Sequence, residues 1–178
     1  MKKLVYYVAA SLDYFIAHED GTTGGFLPEG PHIKDYMDSL QDYDTVLMGR
    51  KTYEYGYDFG LKPGAAPYPH MQNYVFSKSI QVDQQAENLH IVSANWIDTV
   101  QKLKTKEGSP IYLCGGGQLA TTLLEAQLID EMIIKLNPVI FGKGIPVFHP
   151  HKQLISLDLY DQKSYDNGVL FLYYRLKT

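Results

Sequence analysis

The segment IYLCGGGQLATTLLEAQLIDEMIIKL, residues 111 to 136, constrains this chain more than any other. An apolar run meets three consecutive glycines, Gly115, Gly116 and Gly117, and then a stretch with helical patterning. Each glycine gives up much backbone freedom on folding, so three in a row imply a sharp turn or a close approach. A strand that ends in glycine and opens a helix is the usual setting for a phosphate, because helix N-terminal N–H groups point at it. The spacing Gly115-x-Gly117-x-x-Ala120 fits the dinucleotide pattern G-x-G-x-x-A, and a plain structural turn has the same letters. A standard dinucleotide domain fits badly. Its next strand should end in an acid that holds the ribose. Here that strand runs into KLNPVIFGKG, and too little chain follows for the second half of such a fold. No G-K-[ST] follows the glycines, which excludes a P-loop.

The rest of the chain alternates between the two periods. KLVYYVAA is β-branched and aromatic and predicts a buried first strand. Residues 11 to 32 read as a long loop, with EDGTTGG and LPEGP as turn signals. HIKDYMDSLQ predicts a short amphipathic helix with Ile33, Tyr36, Met37 and Leu40 on one face. DTVLMG, NYVFS, LHIVS and PIYLCG predict four more strands, and RKTYEYG a helical turn. ANWIDTVQKLKTKEG predicts a helix that buries Trp96, Val100 and Leu103, with Gly108 as its C-cap. QLATTLLEAQ predicts another helix and DEMIIKLNPVIF a long sixth strand. Two final strands pair as a hairpin through Asp166-Asn167-Gly168. Strands alternating with helices and ending in a hairpin imply an α/β sandwich whose sheet is mostly parallel with an antiparallel edge. The 178 residues suit one domain, 1–178.

A net charge of −4 gives no reason to expect nucleic acid or an anionic membrane as a partner, and no apolar run is long enough to span a bilayer. One cysteine, Cys114, excludes an intrachain disulfide, and cytoplasm is the default location. Two further segments end strands with donors. LMGRKTYE repeats the strand–glycine–helix junction with Gly49, Arg50, Lys51 and Thr52, and FSKS ends its strand with Ser77 and Lys78. Strand ends on one parallel sheet share its carboxyl edge, where ligands bind. Three such ends suit a ligand with several phosphates; an exposed basic turn is the plainer alternative. The His149-Pro150-His151 stretch reads as surface loop, and no metal is expected.

Taken together, AASLDYFIA, MGRKTYE, YVFSKS and CGGGQLATTLLEAQLIDEMIIKLNPVIFGKGIPVF resemble the dihydrofolate reductase superfamily, above all the RibD C-terminal domain family, the reductase domain of riboflavin biosynthesis. The resemblance covers most of the chain in order. It implies a dihydrofolate reductase-like, three-layer α/β/α sandwich and NADPH as cofactor. By position it puts Gly49, Arg50, Lys51 and Thr52 at the NADPH phosphates and Ser77 and Lys78 at the adenosine 2′-phosphate. It puts Gly115, Gly116, Gly117, Gln118, Leu119 and Ala120 at the pyrophosphate and nicotinamide ribose. Ala9, Ile16 and Ala17 fall beside the nicotinamide, small or apolar where a flat ring must lie.

The resemblance also has departures. The family's Pro-Trp turn and helix acid are replaced by FLPEGPHIKDYMDSL, without Trp. Asp35 is the acid nearest that position, and a solvated helix face is the alternative. Asp13 matches an S-L-D motif and would order the loop after the first strand. Tyr14, Tyr55, Tyr57 and Phe59 are candidate walls for a substrate, since aromatic faces stack on flat rings; packing is their other use. The implied activity is an NADPH-dependent reduction of a small planar heterocycle, with the aminouracil reductase of riboflavin synthesis leading. A stand-alone reductase of another substrate and a non-catalytic nucleotide-binding protein stay open. The chain lacks the zinc signature of the deaminase half. The Tyr-rich C-terminal hairpin suggests a homodimer.

Overall fold

The structure, a computed structural model, describes residues 1–177. In chain order its elements are β1 (Leu4–Ala10), β2 (Phe15–Ala17), α1 (Pro31–Ser39), β3 (Thr45–Gly49), α2 (Arg50–Tyr55), β4 (Gln72–Phe76) and β5 (Leu89–Val92). They continue with α3 (Trp96–Thr105), β6 (Ile111–Gly115), α4 (Gly117–Glu125), β7 (Glu131–Leu136), β8 (Ile145–Pro146), β9 (Leu157–Ser164) and β10 (Leu170–Leu176). Strand side chains alternate between faces, and here both faces are apolar. Leu4 and Tyr6 of β1 enter one core, Val5 and Tyr7 another. Leu47, Ile111, Leu113 and Ile134 join the first; Val46, Met48, Tyr112 and Ile133 join the second.

Helices cover each face. Val100 and Leu103 of α3 and Leu119, Ala120, Leu123 and Leu124 of α4 complete the first core. Tyr36 of α1, Leu40 just after it and Tyr53 of α2 complete the second. The three layers lie around a sheet ordered β5-β4-β3-β6-β1-β7-β10-β9. Strands β5 to β7 in that order run parallel, and β10 and then β9 add antiparallel at the edge. The hairpin turns where expected: Gly168, at φ +86°, donates to the Tyr165 carbonyl at 2.9 Å, and Tyr165 donates to Val169 at 3.0 Å.

Four local expectations are corrected. The loop after β1 contains β2, which pairs with β8 as a separate two-stranded sheet. The sixth strand ends at Leu136 rather than Phe141, because buried Asn137 turns the chain: its N–H donates to Ala10, and its side-chain amide to the Lys135 carbonyl at 3.1 Å. Pro138 then has no N–H with which to continue a ladder. Helix α1 starts at Pro31, one residue earlier than expected, buries His32 and leaves Met37 54% exposed, so the face it shares with Leu40 is not buried along its length. Gly108 lies beyond the end of α3, at φ +128° beside the Asp44 carboxylate, and the helix closes through the Lys106 N–H on Leu103. No helix among the described residues is long and apolar enough to cross a membrane.

Candidate active site

Three strand-to-loop junctions meet at the carboxyl edge of the sheet. Gly49 of β3 pairs with Phe76 of β4, and Met48 with Gly115 of β6, so the three strands end nearly level. Ser77 and Lys78 follow β4 directly. The glycines let the neighbouring junctions touch. A Cβ on Gly116, which has φ +98°, would lie 3.5 Å from Gly49 N, 3.6 Å from Gly49 Cα and 3.6 Å from Thr52 Oγ1. The two junctions thus face each other through bare backbone.

Neither helix that starts here has a side-chain cap: Gly49 precedes α2 and Gly116 precedes α4. Their first N–H groups are left for an outside acceptor, the arrangement that suits an anion. Cations surround the opening. Arg50 and Lys78 are exposed; Arg50 donates to Ser79 Oγ at 3.2 Å and stands 3.7 Å from Glu54. Lys51 is exposed beside them. Ser77 is buried, and its Oγ accepts the N–H groups of Ser79 and Ile80 at 3.2 and 2.9 Å, which folds the Lys78 loop and leaves the hydroxyl proton free to donate.

Next to this edge, on the α1 side of the sheet, lies a cavity of about 130 Å³ lined by Tyr7, Val8, Ala9, Tyr36, Tyr112, Cys114 and Lys135. Cys114 immediately precedes the glycines, so cavity and cradle adjoin. Tyr36 and Tyr112 share a hydroxyl hydrogen bond of 2.8 Å, and the Tyr68 hydroxyl stands 3.4 Å from Cys114 Sγ. Burial pushes the Tyr36 phenol up to about 12, and pushes the Tyr7, Tyr68 and Tyr112 phenols and the Cys114 thiol up as well. Burial pushes the Lys135 ammonium down. This lysine carried no sequence signal: it sits mid-strand in EMIIKL, and only the pairing of Ala9 with Lys135 brings it here.

The structure brings Gly49, Thr52, Gly115, Gly116 and Gly117 together and places Ala9 at the cavity wall. Ile16 and Ala17 lie on β2, which β8 holds near the glycine turn: a Cβ on Gly117 would collide with the Pro146 carbonyl of β8. Gly117 therefore packs against protein. Gln118 is exposed on the first turn of α4, while Leu119 and Ala120 point into the core, so their side of the site is backbone only.

Other expected residues lie elsewhere. Asp35 faces the hairpin instead of the cavity: Lys163 binds its carboxylate, and the Tyr165 hydroxyl donates to it at 2.6 Å. Lys163, then Tyr165, holds this carboxyl below the usual carboxylate range. Tyr14, Tyr55, Tyr57 and Phe59 do not line the cavity. Tyr14 is 45% exposed at φ +62°, and Phe59 is 74% exposed. Tyr55 bonds to Thr23 at 2.7 Å, and Tyr57 packs edge-on against Tyr53. Asp13 orders its loop: it accepts from Ser11 at 2.6 Å and from the N–H groups of Phe141 and Gly142 at 3.1 and 2.7 Å. The His149 segment is not a free surface loop. The His149 N–H donates to Thr121 Oγ1 at 2.8 Å, and its ring would lie 3.5 Å from a Cβ on Gly117.

Known proteins share this architecture. The RibD C-terminal domain family matches residues 2–171. The Bacillus subtilis (strain 168) uncharacterized protein YwjB is 34% identical over 98% of both chains. A second B. subtilis uncharacterized protein, YyaP, is 28% identical over 97% of this chain and 94% of its own. Among solved structures, a putative riboflavin biosynthesis protein from Shewanella sp. PV-4 superposes with a TM-score of 0.83 at 23% identity, covering 99% of each chain. A Thermotoga maritima diaminohydroxyphosphoribosylaminopyrimidine deaminase/5-amino-6-(5-phosphoribosylamino)uracil reductase superposes at 0.70 and 15% identity, over 98% of this chain and 56% of that one. At those identities the structures share the fold, which is the dihydrofolate reductase-like one. The match across nearly the whole length and the agreement in fold place this chain in the RibD C-terminal domain family.

Proposed function

We propose that this chain is an NADPH-dependent reductase of a planar heterocycle. The observation that carries the reading is the contact of two glycine junctions, Gly49 and Gly116, at the carboxyl edge, each opening an uncapped helix and both flanked by cations. A pyrophosphate fits such a cradle because bare backbone lets it reach the N–H groups. Arg50, Lys51 and Lys78 would take the 2′-phosphate, with the Ser77 hydroxyl donating. Gly115 to Ala120 would hold pyrophosphate and ribose through the backbone. Ala9, Ile16 and Ala17 would leave space for the nicotinamide beside the cavity. Bound there, the cofactor supplies a hydride; the protein supplies position, water exclusion and a proton.

The first candidate substrate is 5-amino-6-(5-phosphoribosylamino)uracil, because a reductase of that compound shares the fold. A second reading, a free-standing reductase of a different ring, is favoured by the cavity walls, which hold phenols and a lysine and no carboxylate. NADPH titration followed by a screen of aminopyrimidines and pteridines for cofactor oxidation tests the proposal. Tight NADPH binding with oxidation by at least one ring supports it; no binding overturns it, and binding without turnover on any ring leaves a nucleotide-binding protein.

A further inference from the structure

Lys135 stands on β7 directly across from Ala9 of β1 and Phe171 of β10. Its ammonium enters the cavity and lies 4.7 Å from the centre of the Tyr36 ring. Among the described residues it makes no ion pair and no hydrogen bond, although the nearest carboxylate-bearing helix, α1, packs above it. The acid on that helix, Asp35, is engaged by Lys163 and Tyr165. The remaining groups around it are Tyr7 from β1, Tyr112 and Cys114 from β6, Tyr36 from α1, Phe171 and Tyr173 from β10, and Asn137 two residues on. None of these is a carboxylate. Lys135 is half-buried, with its ammonium over a ring face and no anion beside it, so it can turn to an acceptor that a ligand brings into the cavity.

The cavity also sets a size. An apolar cavity of about 150 Å³ admits one benzene, so 130 Å³ suits a single six-membered ring. The walls set a polarity. Among the side chains that line the cavity, the Lys135 ammonium is the polar group that donates and cannot accept, while the Tyr36 and Tyr112 hydroxyls, bonded to each other, can do both. A ring with oxygen acceptors satisfies such walls. A ring that turns an amino group to Lys135 sets donor against donor and leaves both unpaired.

We propose that Lys135 is the substrate-facing cation of this cavity, donating to an oxygen on a single planar ring and selecting oxo-substituted rings over amino-substituted ones. This rests on the reductase reading, in which Ala9 lies beside the nicotinamide, and it adds a residue that the motif positions do not include. A lysine kept for a ligand is held against stability, whereas a lysine kept for packing on Tyr36 is not, and the two uses separate experimentally.

The test uses the full chain saturated with NADP⁺, so that no turnover occurs. Uracil and 2,4-diaminopyrimidine, rings of nearly equal shape with oxygens and amino groups exchanged, are titrated by NMR. Wild type is expected to bind uracil at least tenfold tighter than 2,4-diaminopyrimidine. Lys135→Met is expected to lose uracil affinity by on the order of tenfold or more, the effect of one charged hydrogen bond, with NADP⁺ affinity within about twofold of wild type and a raised Tm. Lys135→Gln, closer in shape and polar, guards against a folding failure and should show the same loss of uracil. Equal affinity of wild type for the two rings, or unchanged uracil affinity in both variants, overturns the assignment. Failure of wild type to bind NADP⁺ is a separate result: it removes the reductase reading itself.

Discussion

Gly116 and Gly117 are neighbours held to glycine by different contacts. Gly117 has the Pro146 carbonyl where a Cβ would stand, so Gly117→Ala must move backbone, at about 1–3 kcal/mol. Gly116 has ordinary space but φ +98°, so Gly116→Ala is strained by on the order of 1–2 kcal/mol and also places a methyl between the two junctions. Thermal unfolding and NADPH titration on one preparation separate the effects. Gly117→Ala should lower Tm, and Gly116→Ala should weaken NADPH more than tenfold in the folded fraction; normal NADPH affinity in Gly116→Ala removes the cradle. Lys78 gives a sharper residue-level test. Exposed charge on phosphate is salt-screened, so Lys78→Ala should weaken NADPH, spare NADH and flatten the salt dependence, while an equal loss for both cofactors would refute a 2′-phosphate role. The glycine junctions were legible because their letters are local. The Pro146 contact and the placing of Lys135 opposite Ala9 were not, because both arise from pairing between distant segments.

At the scale of elements, periodicity identified the strands with two buried faces and missed β2 and β8, which are three and two residues long and hold one another across a turn-rich stretch. Patterning cannot register a strand too short to alternate. The end of α4 shows a local rule set aside. Leu128 donates to Leu123 at 2.9 Å and Gln127 to Leu124 at 2.9 Å, the paired bonds of a left-handed helix stop, and Leu123 and Leu128 share the first core. The residue at the left-handed position is Gln127, φ +56°, where glycine is usual. Gln127 is exposed and makes no side-chain hydrogen bond among the described residues. Gln127→Gly should therefore stabilise the chain by roughly 0.5–1 kcal/mol, the left-handed strain less the entropy glycine adds to the unfolded chain. Chemical denaturation reads this as a higher midpoint at unchanged slope; a lower midpoint would mean that Gln127 has contacts that matter more than its backbone angle.

Across the whole molecule, a few carboxylates tie segments far apart in sequence. Asp35 joins α1 to the C-terminal hairpin through Lys163 and Tyr165. Asp44 joins the start of β3 to the N-terminus through Lys2 and to the turn before β6 through the Ser109 N–H at 3.0 Å. Asp130 joins the approach to β7 to β1 and α3, accepting from the Leu4 N–H at 2.7 Å and pairing with Lys104. The bonds from Lys163 and Tyr165 hold Asp35 below the usual carboxylate range; for Asp44 burial pulls upward and the bonds from Lys2, Thr45 and Ser109 overcome it. A carboxyl lowered in the folded state binds its proton more readily when unfolded. Its contribution to stability is therefore full above the unfolded value, about pH 4, and is lost as pH falls through the folded value. Stability should be nearly flat from about pH 5 to 7 as far as these groups are concerned and should drop below about pH 4. Asp35→Asn should remove part of that drop and lower stability at neutral pH. Because Asp35 anchors the helix that roofs the cavity through Tyr36, the same variant should weaken ring binding while sparing NADPH. Denaturation midpoints measured at several pH values, with NADPH titrated alongside, check both. An acid limb identical to wild type would show that the α1–hairpin tie contributes nothing to the folded state, and a large loss of NADPH affinity would place Asp35 in the cofactor site.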